Sequence, residues 1–158
     1  MSHSLSEADW MAAMSDTINE VATTALGFPG CEVLRTFDRI PPGREGAYLA
    51  LVGQEDSIQI GLISNAEGCQ ALAKGLLQME PGGEDLDPAD MADAMCEVVN
   101  IIAGGLKARV NGKVPPIKLG LPLFVNGAVQ PSSRLVIVVA ELLIGTVPAA
   151  LVLIEPRG

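Results

Sequence analysis

PADMADAMCEVVNIIAGGLKARV, residues 88–110, is the stretch from which the rest of the chain is read. Asp93, Glu97, Asn100 and Gly104 follow one another in it at spacings of four, three and four. At about 100° per residue they fall within roughly 60° of one another on a helix. Met91, Met95, Val98, Val99, Ile102 and Leu106 fall on the opposite side. One side is thus a wide apolar stripe fit for burial. The other offers a carboxylate, a second carboxylate, an amide and then no side chain at all. A merely solvated face would more often carry long Lys, Glu and Gln side chains. This one can be approached closely, although a polar helix face with no chemistry is the plainer alternative. Asp87 before Pro88 is a good N-cap and first-turn pair for such a helix.

Outward from this helix, the pattern gives elements on both sides. Ser6 with Glu7, Asp9 and Trp10 starts a first helix that runs to about Leu26, where Gly27-Phe28-Pro29-Gly30 stops it. Residues 1–5 read as disordered. Strands follow at Cys31–Ile40, Ala47–Gly53 and Ser57–Ile63, the last two joined as a hairpin by Gln54-Glu55-Asp56. Ala66–Met79 is helical in pattern, and Pro81–Asp87 is an acidic Gly/Pro loop. After the long helix come strands at Leu119–Val125, Leu135–Leu142 and Val147–Ile154. Pro122 places the first of these at an edge or strand end. The Val/Ile/Leu density of the other two marks central strands. The order predicts an α+β fold with helices packed on an antiparallel or mixed sheet, in one domain over 1–158.

The first helix repeats the long one. Shifted by 77 residues, Asp16, Glu20, Val21 and Gly27 lie on Asp93, Glu97, Val98 and Gly104, and Thr23 replaces Asn100. Each half then continues into three strands. This predicts two pseudo-symmetric α-βββ halves, about 6–80 and 81–158, with only the second stripe complete.

Composition narrows the chemistry. The 158 residues are 49% hydrophobic with mean hydropathy +0.37, so a sizeable core is assured. Aromatics are 3% and net charge is −9, which leaves few stacking platforms and makes nucleic acid and anionic membranes poor partners. The one His, His3, lies in the N-terminal tail, so a His triad or a His metal site is out. Cys31, Cys69 and Cys96 match no metal spacing and read as small buried residues of a reducing compartment. No Gly-rich phosphate loop follows a strand. No signal peptide is read ahead of the first helix. Leu135–Ile144 is broken by Glu141 and is too short to cross a bilayer. The expectation is a soluble cytoplasmic domain without bound metal or cofactor.

Asp93-x3-Glu97-x2-Asn100-x3-Gly104, followed by Pro122 after a gap of 21 residues from Asn100, resembles the signature of the CheC/CheX/FliY phosphatases of bacterial chemotaxis. The pseudo-repeat and the strand order are similar to that family too. With Thr23 in the first copy, the chain looks CheX-like, with one site. The resemblance implies hydrolysis of the aspartyl phosphate of a CheY-type response regulator. Asn100 would orient the attacking water, since an amide can accept from water and donate at once. Glu97 would pair with the receiver's active-site Lys. Asp93 would extend the docking surface or be a plain solvated acid. Gly104 and Gly105 would admit the receiver's backbone, though Gly105 could instead serve helix–sheet packing. Pro122 would shape the strand beneath the helix. The Mg²⁺ would come with the receiver. By the same resemblance the protein would be a homodimer joined through sheet edges. The alternative is a non-catalytic binding or flagellar assembly module on the same fold. A third is an unrelated small-ligand domain with a pocket between helix and sheet.

Overall fold

The computed structural model describes residues 5–157. The expected N-terminal disorder, apart from Leu5, lies outside these residues, as does His3. Three helices, α1 (Glu7–Thr24), α2 (Ala66–Leu76) and α3 (Pro88–Val110), pack on one face of a seven-stranded sheet. The strands are β1 (Cys31–Phe37), β2 (Glu45–Val52), β3 (Ser57–Ser64), β4 (Lys118–Leu119), β5 (Leu123–Asn126), β6 (Leu135–Ile144) and β7 (Val147–Pro156). Among the described residues every pairing between these strands is antiparallel, which removes the mixed-sheet alternative.

The strand order is β1-β6-β7-β3-β2, with β4 and β5 both on the far side of β2. Exchange β1 with β4/β5, β2 with β6 and β3 with β7, and the order reads the same backwards. The two expected halves are therefore present, but neither is a sheet by itself. β1 pairs with β6 of the second half, and β5 pairs with β2 of the first. The links from β1 to β2 (38–44) and from β5 to β6 (127–134) must each cross three strands. They do so on the helix-free face, where Ile40 and Val129 help close a second small core of Tyr48, Ile63, Val139, Ala150, Val152 and Ile154.

The β2–β3 hairpin forms as expected, with Gly53 N–H donating to Asp56 O at 2.8 Å. Three elements differ from the sequence reading. β1 ends at Phe37 rather than Ile40, because the chain bends at Asp38-Arg39 and carries Ile40 onto the second small core. The strand expected at Leu119–Val125 is split, because Gly120-Leu121-Pro122 leaves the ladder and a proline cannot donate to it. The helix expected to reach Met79 stops at Leu76. There Gln78 takes a left-handed φ of +57°, its N–H donates to Gly75 O at 3.2 Å, and Met79 N–H donates to Lys74 O at 2.9 Å. This is a Schellman ending without its usual glycine. Among the described residues no helix is long and apolar enough to cross a membrane.

Candidate functional site

α3 forms where the caps predict. Asp87 accepts from Ala89 N–H at 3.1 Å, Pro88 opens the first turn, and Lys107 and Arg109 sit in the last turn against the negative end of the helix dipole. The helix packs on β2, β3 and β5 and touches α1 and α2. Met91, Ala94, Met95, Val98, Val99, Ile102, Ala103 and Leu106 are buried beneath it. That burial fixes the rotation of the helix and so decides what faces out. Asp93, Glu97 and Gly104 are exposed and Asn100 is half-buried, so the four share the outward face.

Two details define this face. Among the described residues, neither the Glu97 carboxylate nor the Asn100 amide has a hydrogen-bond or ion-pair partner. Above Gly104 there is open space: a Cβ built there meets nothing within 4 Å. The Cys96 thiol beside the stripe is raised above its ordinary pKa, first by partial burial and then by the Asp93 carboxylate. Neither of the two clefts found beside the helices is lined by Asp93, Glu97, Asn100 or Gly104. The stripe is an open surface, suited to a macromolecular partner rather than a small enclosed ligand. Among the described residues no group of three or more His, Cys, Asp or Glu side chains could hold a metal ion.

Gly105 has a different part from Gly104. A Cβ there would lie 2.9 Å from Thr17 Cγ2 of α1 and 3.5 Å from Arg109 Nη1. Thr17 is buried, and its hydroxyl donates to Ala13 O at 2.6 Å, which holds the methyl group toward α3. Gly105 therefore serves helix–helix packing rather than the helix–sheet packing expected as its alternative.

In the first stripe the counterparts of Glu97 and Asn100 are taken up by the protein itself. Glu20, the counterpart of Glu97, is ion-paired with Arg109 of α3. Thr23, the counterpart of Asn100, turns its hydroxyl back to Asn19 O and Glu20 O at 3.3 and 3.0 Å. Gly27, the counterpart of Gly104, takes φ +74° just past the end of α1. Sequence reasoning passed over Arg109, and it also passed over a strap ahead of α3. Gln70 exchanges two hydrogen bonds with Leu86, at 2.9 and 2.8 Å. The buried Lys74 donates to Gly83 O at 3.0 Å and to Asp85 at 3.2 Å. The signal was there: Gln70 and Lys74 are four apart, on one side of a helix that precedes an acidic Gly/Pro loop.

The comparisons agree with the fold. No curated protein matches the chain. Among solved structures, a CheC-like superfamily protein from Shewanella sp. PV-4 is 16% identical, with TM-score 0.78 over 97% of this chain and 100% of that one. A chemotaxis protein CheX from Desulfovibrio desulfuricans is 14% identical, with TM-score 0.76 over 93% and 99%. A chain of the CheX-CheY-BeF3-Mg²⁺ complex from Borrelia burgdorferi is 22% identical, with TM-score 0.69 over 95% and 99%. These likenesses establish the fold. The family model for the chemotaxis phosphatase CheX matches residues 46–136, more than half of the sequence, and the chain therefore belongs to the CheX family.

Proposed function

We propose that this chain, as one CheX-like domain in the cytoplasm, dephosphorylates a CheY-type response regulator. The observation that carries the reading is the contrast between the two stripes. Glu97 and Asn100 face outward with no partner among the described residues, whereas Glu20 and Thr23 are engaged. The relative from Borrelia burgdorferi was solved in complex with CheY, which supports a receiver as the partner.

An acyl phosphate is already activated, so the visiting protein needs chiefly to place water in line with the phosphorus. The Asn100 amide accepts a hydrogen bond from that water while donating another, the part a Gln plays in some GTPases. Water attacks phosphorus, the bond from phosphorus to the aspartyl oxygen breaks, and the receiver recovers its carboxylate. The water's protons leave with inorganic phosphate or pass to solvent. Glu97, one turn earlier on the same face, pairs with the receiver's active-site Lys and sets the docking register. Asp93 widens the docking surface, and the bare backbone at Gly104 admits the receiver closely. The Mg²⁺ belongs to the receiver, and no cofactor is assigned to this chain. Two copies would associate through a sheet edge.

The test is dephosphorylation of a phosphorylated CheY-type regulator from the same cell, with wild type and Asn100→Ala in parallel. Acceleration by wild type that is absent from the variant supports the reading. Tight binding without acceleration would make the chain a docking module instead.

A further inference from the structure

Lys74 is a charged side chain in a place suited to an apolar one. It stands on α2 beside the buried Leu72 and Ala73 and is itself only 4% exposed. A buried ammonium is costly unless its hydrogen bonds are met. Here they are met by the strap, residues 80–86, that leads into α3. Lys74 Nζ donates to Gly83 O at 3.0 Å and to Asp85 Oδ1 at 3.2 Å. One turn earlier on α2, the Gln70 amide accepts from Leu86 N–H at 2.8 Å and donates to Leu86 O at 2.9 Å. The strap has little else to hold it. Among the described residues its own backbone supplies one hydrogen bond, Gly83 N–H to Glu80 O at 3.2 Å, and Leu86 packs against the main core.

These contacts end at the start of α3. Leu86 precedes Asp87, the N-cap, whose side chain accepts from Ala89 N–H and whose carbonyl accepts from Met91 N–H. At this end α3 does not lie flush on α2. A cleft lined by Gln70, Lys74, Asp85, Pro88 and Met91, among others, lies between them. The two α2 side chains therefore span a gap that packing leaves open. Farther along, Val98, Val99, Ile102 and Leu106 hold α3 by burial, and Asn100 lies in that part. Asp93 lies nearer the strap, in the second turn.

We infer that Lys74 and Gln70 are positioning residues. By tying the strap to α2 they hold the first turns of α3, and with them the Asp93–Glu97 half of the outward face, ready for the partner. The inference rests on the receiver-docking reading above and gives Lys74 no part in the chemistry. A docking surface ordered in advance binds more tightly, because less freedom is lost on association. Asn100 is held by the core instead, so the chemical step does not depend on the strap.

Lys74→Met separates this role from plain stability. Met fills the space of the buried stem and removes the charge that burial penalises. The groups it leaves behind are not stranded, since Gly83 is exposed and the Asp85 side chain is 76% exposed. The strap should loosen while the protein stays as stable.

The experiment is hydrogen exchange of the full chain, then turnover of a phosphorylated CheY-type receiver over a range of receiver concentrations, for wild type, Lys74→Met and Gln70→Ala. A thermal melt checks folding, and Lys74→Met is expected to melt within about 4 °C of wild type. Gln70→Ala, at a half-buried position, carries the test if Lys74→Met does not fold. In both variants the amides of residues 83–93 are expected to exchange about tenfold faster, with residues 98–106 unchanged. KM for the receiver is expected to rise about three- to tenfold with kcat within about twofold. Unchanged exchange in the strap, exchange quickened evenly along α3, a KM that stays put while the strap loosens, or a loss of kcat in place of the rise in KM would each overturn the inference. A wild type that neither binds nor dephosphorylates the receiver would overturn the docking role together with the reading above. It is told apart from failure of the tether by the exchange measurement, which needs no receiver.

Discussion

α1 and α3 are the same helix written twice and put to two uses. Both bury an apolar stripe against the sheet, and both turn an acid-acid-polar stripe outward, with a glycine next in line, inside α3 but past the end of α1. In α1 that stripe is consumed by the fold. Glu20 holds Arg109, Thr23 bonds its own helix, and Gly27 marks the stop. In α3 the same positions are left unengaged among the described residues, and the helix runs six residues past Gly104. Stability and function compete for the same side chains: a group aimed at a partner cannot also brace its own protein. α1 has become the brace and α3 the candidate tool.

The sharpest break of that comparison is at the amide. Asn100→Ala is expected to slow turnover of the phosphorylated receiver by about 10²–10³-fold, the usual cost of losing one preorganised hydrogen-bonding group. Binding of the receiver should remain measurable. Thr23→Ala, at the matching place on α1, should leave turnover within about twofold, a difference near 0.4 kcal/mol. Comparable losses from the two substitutions would erase the functional distinction between the helices.

The acids come next. Glu97→Ala should weaken receiver binding by about 1.5–3 kcal/mol, the range for a hydrogen bond to a charged group, readable by titration calorimetry. Glu20→Ala should leave binding unchanged and cost under about 1 kcal/mol of stability, because its pair with Arg109 is solvent-exposed on the Glu20 side. Binding that survives Glu97→Ala intact would remove the proposed Lys contact.

The two neighbouring glycines separate fold from site within a single helix. Gly105→Ala is expected to cost about 1–3 kcal/mol in denaturant unfolding, because the new methyl group meets the anchored Thr17 Cγ2. Gly104→Ala should instead stabilise by up to about 1 kcal/mol, since Ala is the better helix former and the space is open. If the receiver seats on bare backbone there, the stabilised variant is also the slower one. Equal stability changes at the two positions would contradict the Thr17 contact.

What could be read from sequence was local and periodic. Asp87-Pro88 and the 3.6-residue stripe fixed α3 to the residue, and the alternating or dense apolar runs located the strands. The repeat could be read because two helices share residue types at one offset. What could not be read depends on partners distant in sequence. Nothing near Cys31 says that β1 joins β6 rather than β2. Nothing near Arg109 points to Glu20, 89 residues away. Gly104 and Gly105 are identical as letters, and only the position of Thr17 tells them apart. The end of α2 was missed because Gln78 adopts a conformation usually left to Gly or Asn, so no stop signal was written.

The smallest effect tests where Asp93 sits. Its carboxylate helps hold the Cys96 thiol above the ordinary pKa, after the larger contribution from partial burial. A raised pKa means less thiolate at neutral pH, and the thiolate is the reactive form. Asp93→Asn removes the negative charge and leaves the burial, so the pKa should fall part of the way and alkylation of Cys96 at pH 7.5 should quicken. Cys31 and Cys69 will not obscure the reading, because burial pushes their thiols up to about 11 and about 12. On α1 the position matching Cys96 is Asn19, whose side-chain oxygen accepts from Cys31 N–H at 3.1 Å. There again the first helix has turned a stripe neighbour into a structural contact. An unchanged or slower labelling rate would place the Asp93 carboxylate away from Cys96 and out toward solvent, which would also weaken its claim to a place on the docking face.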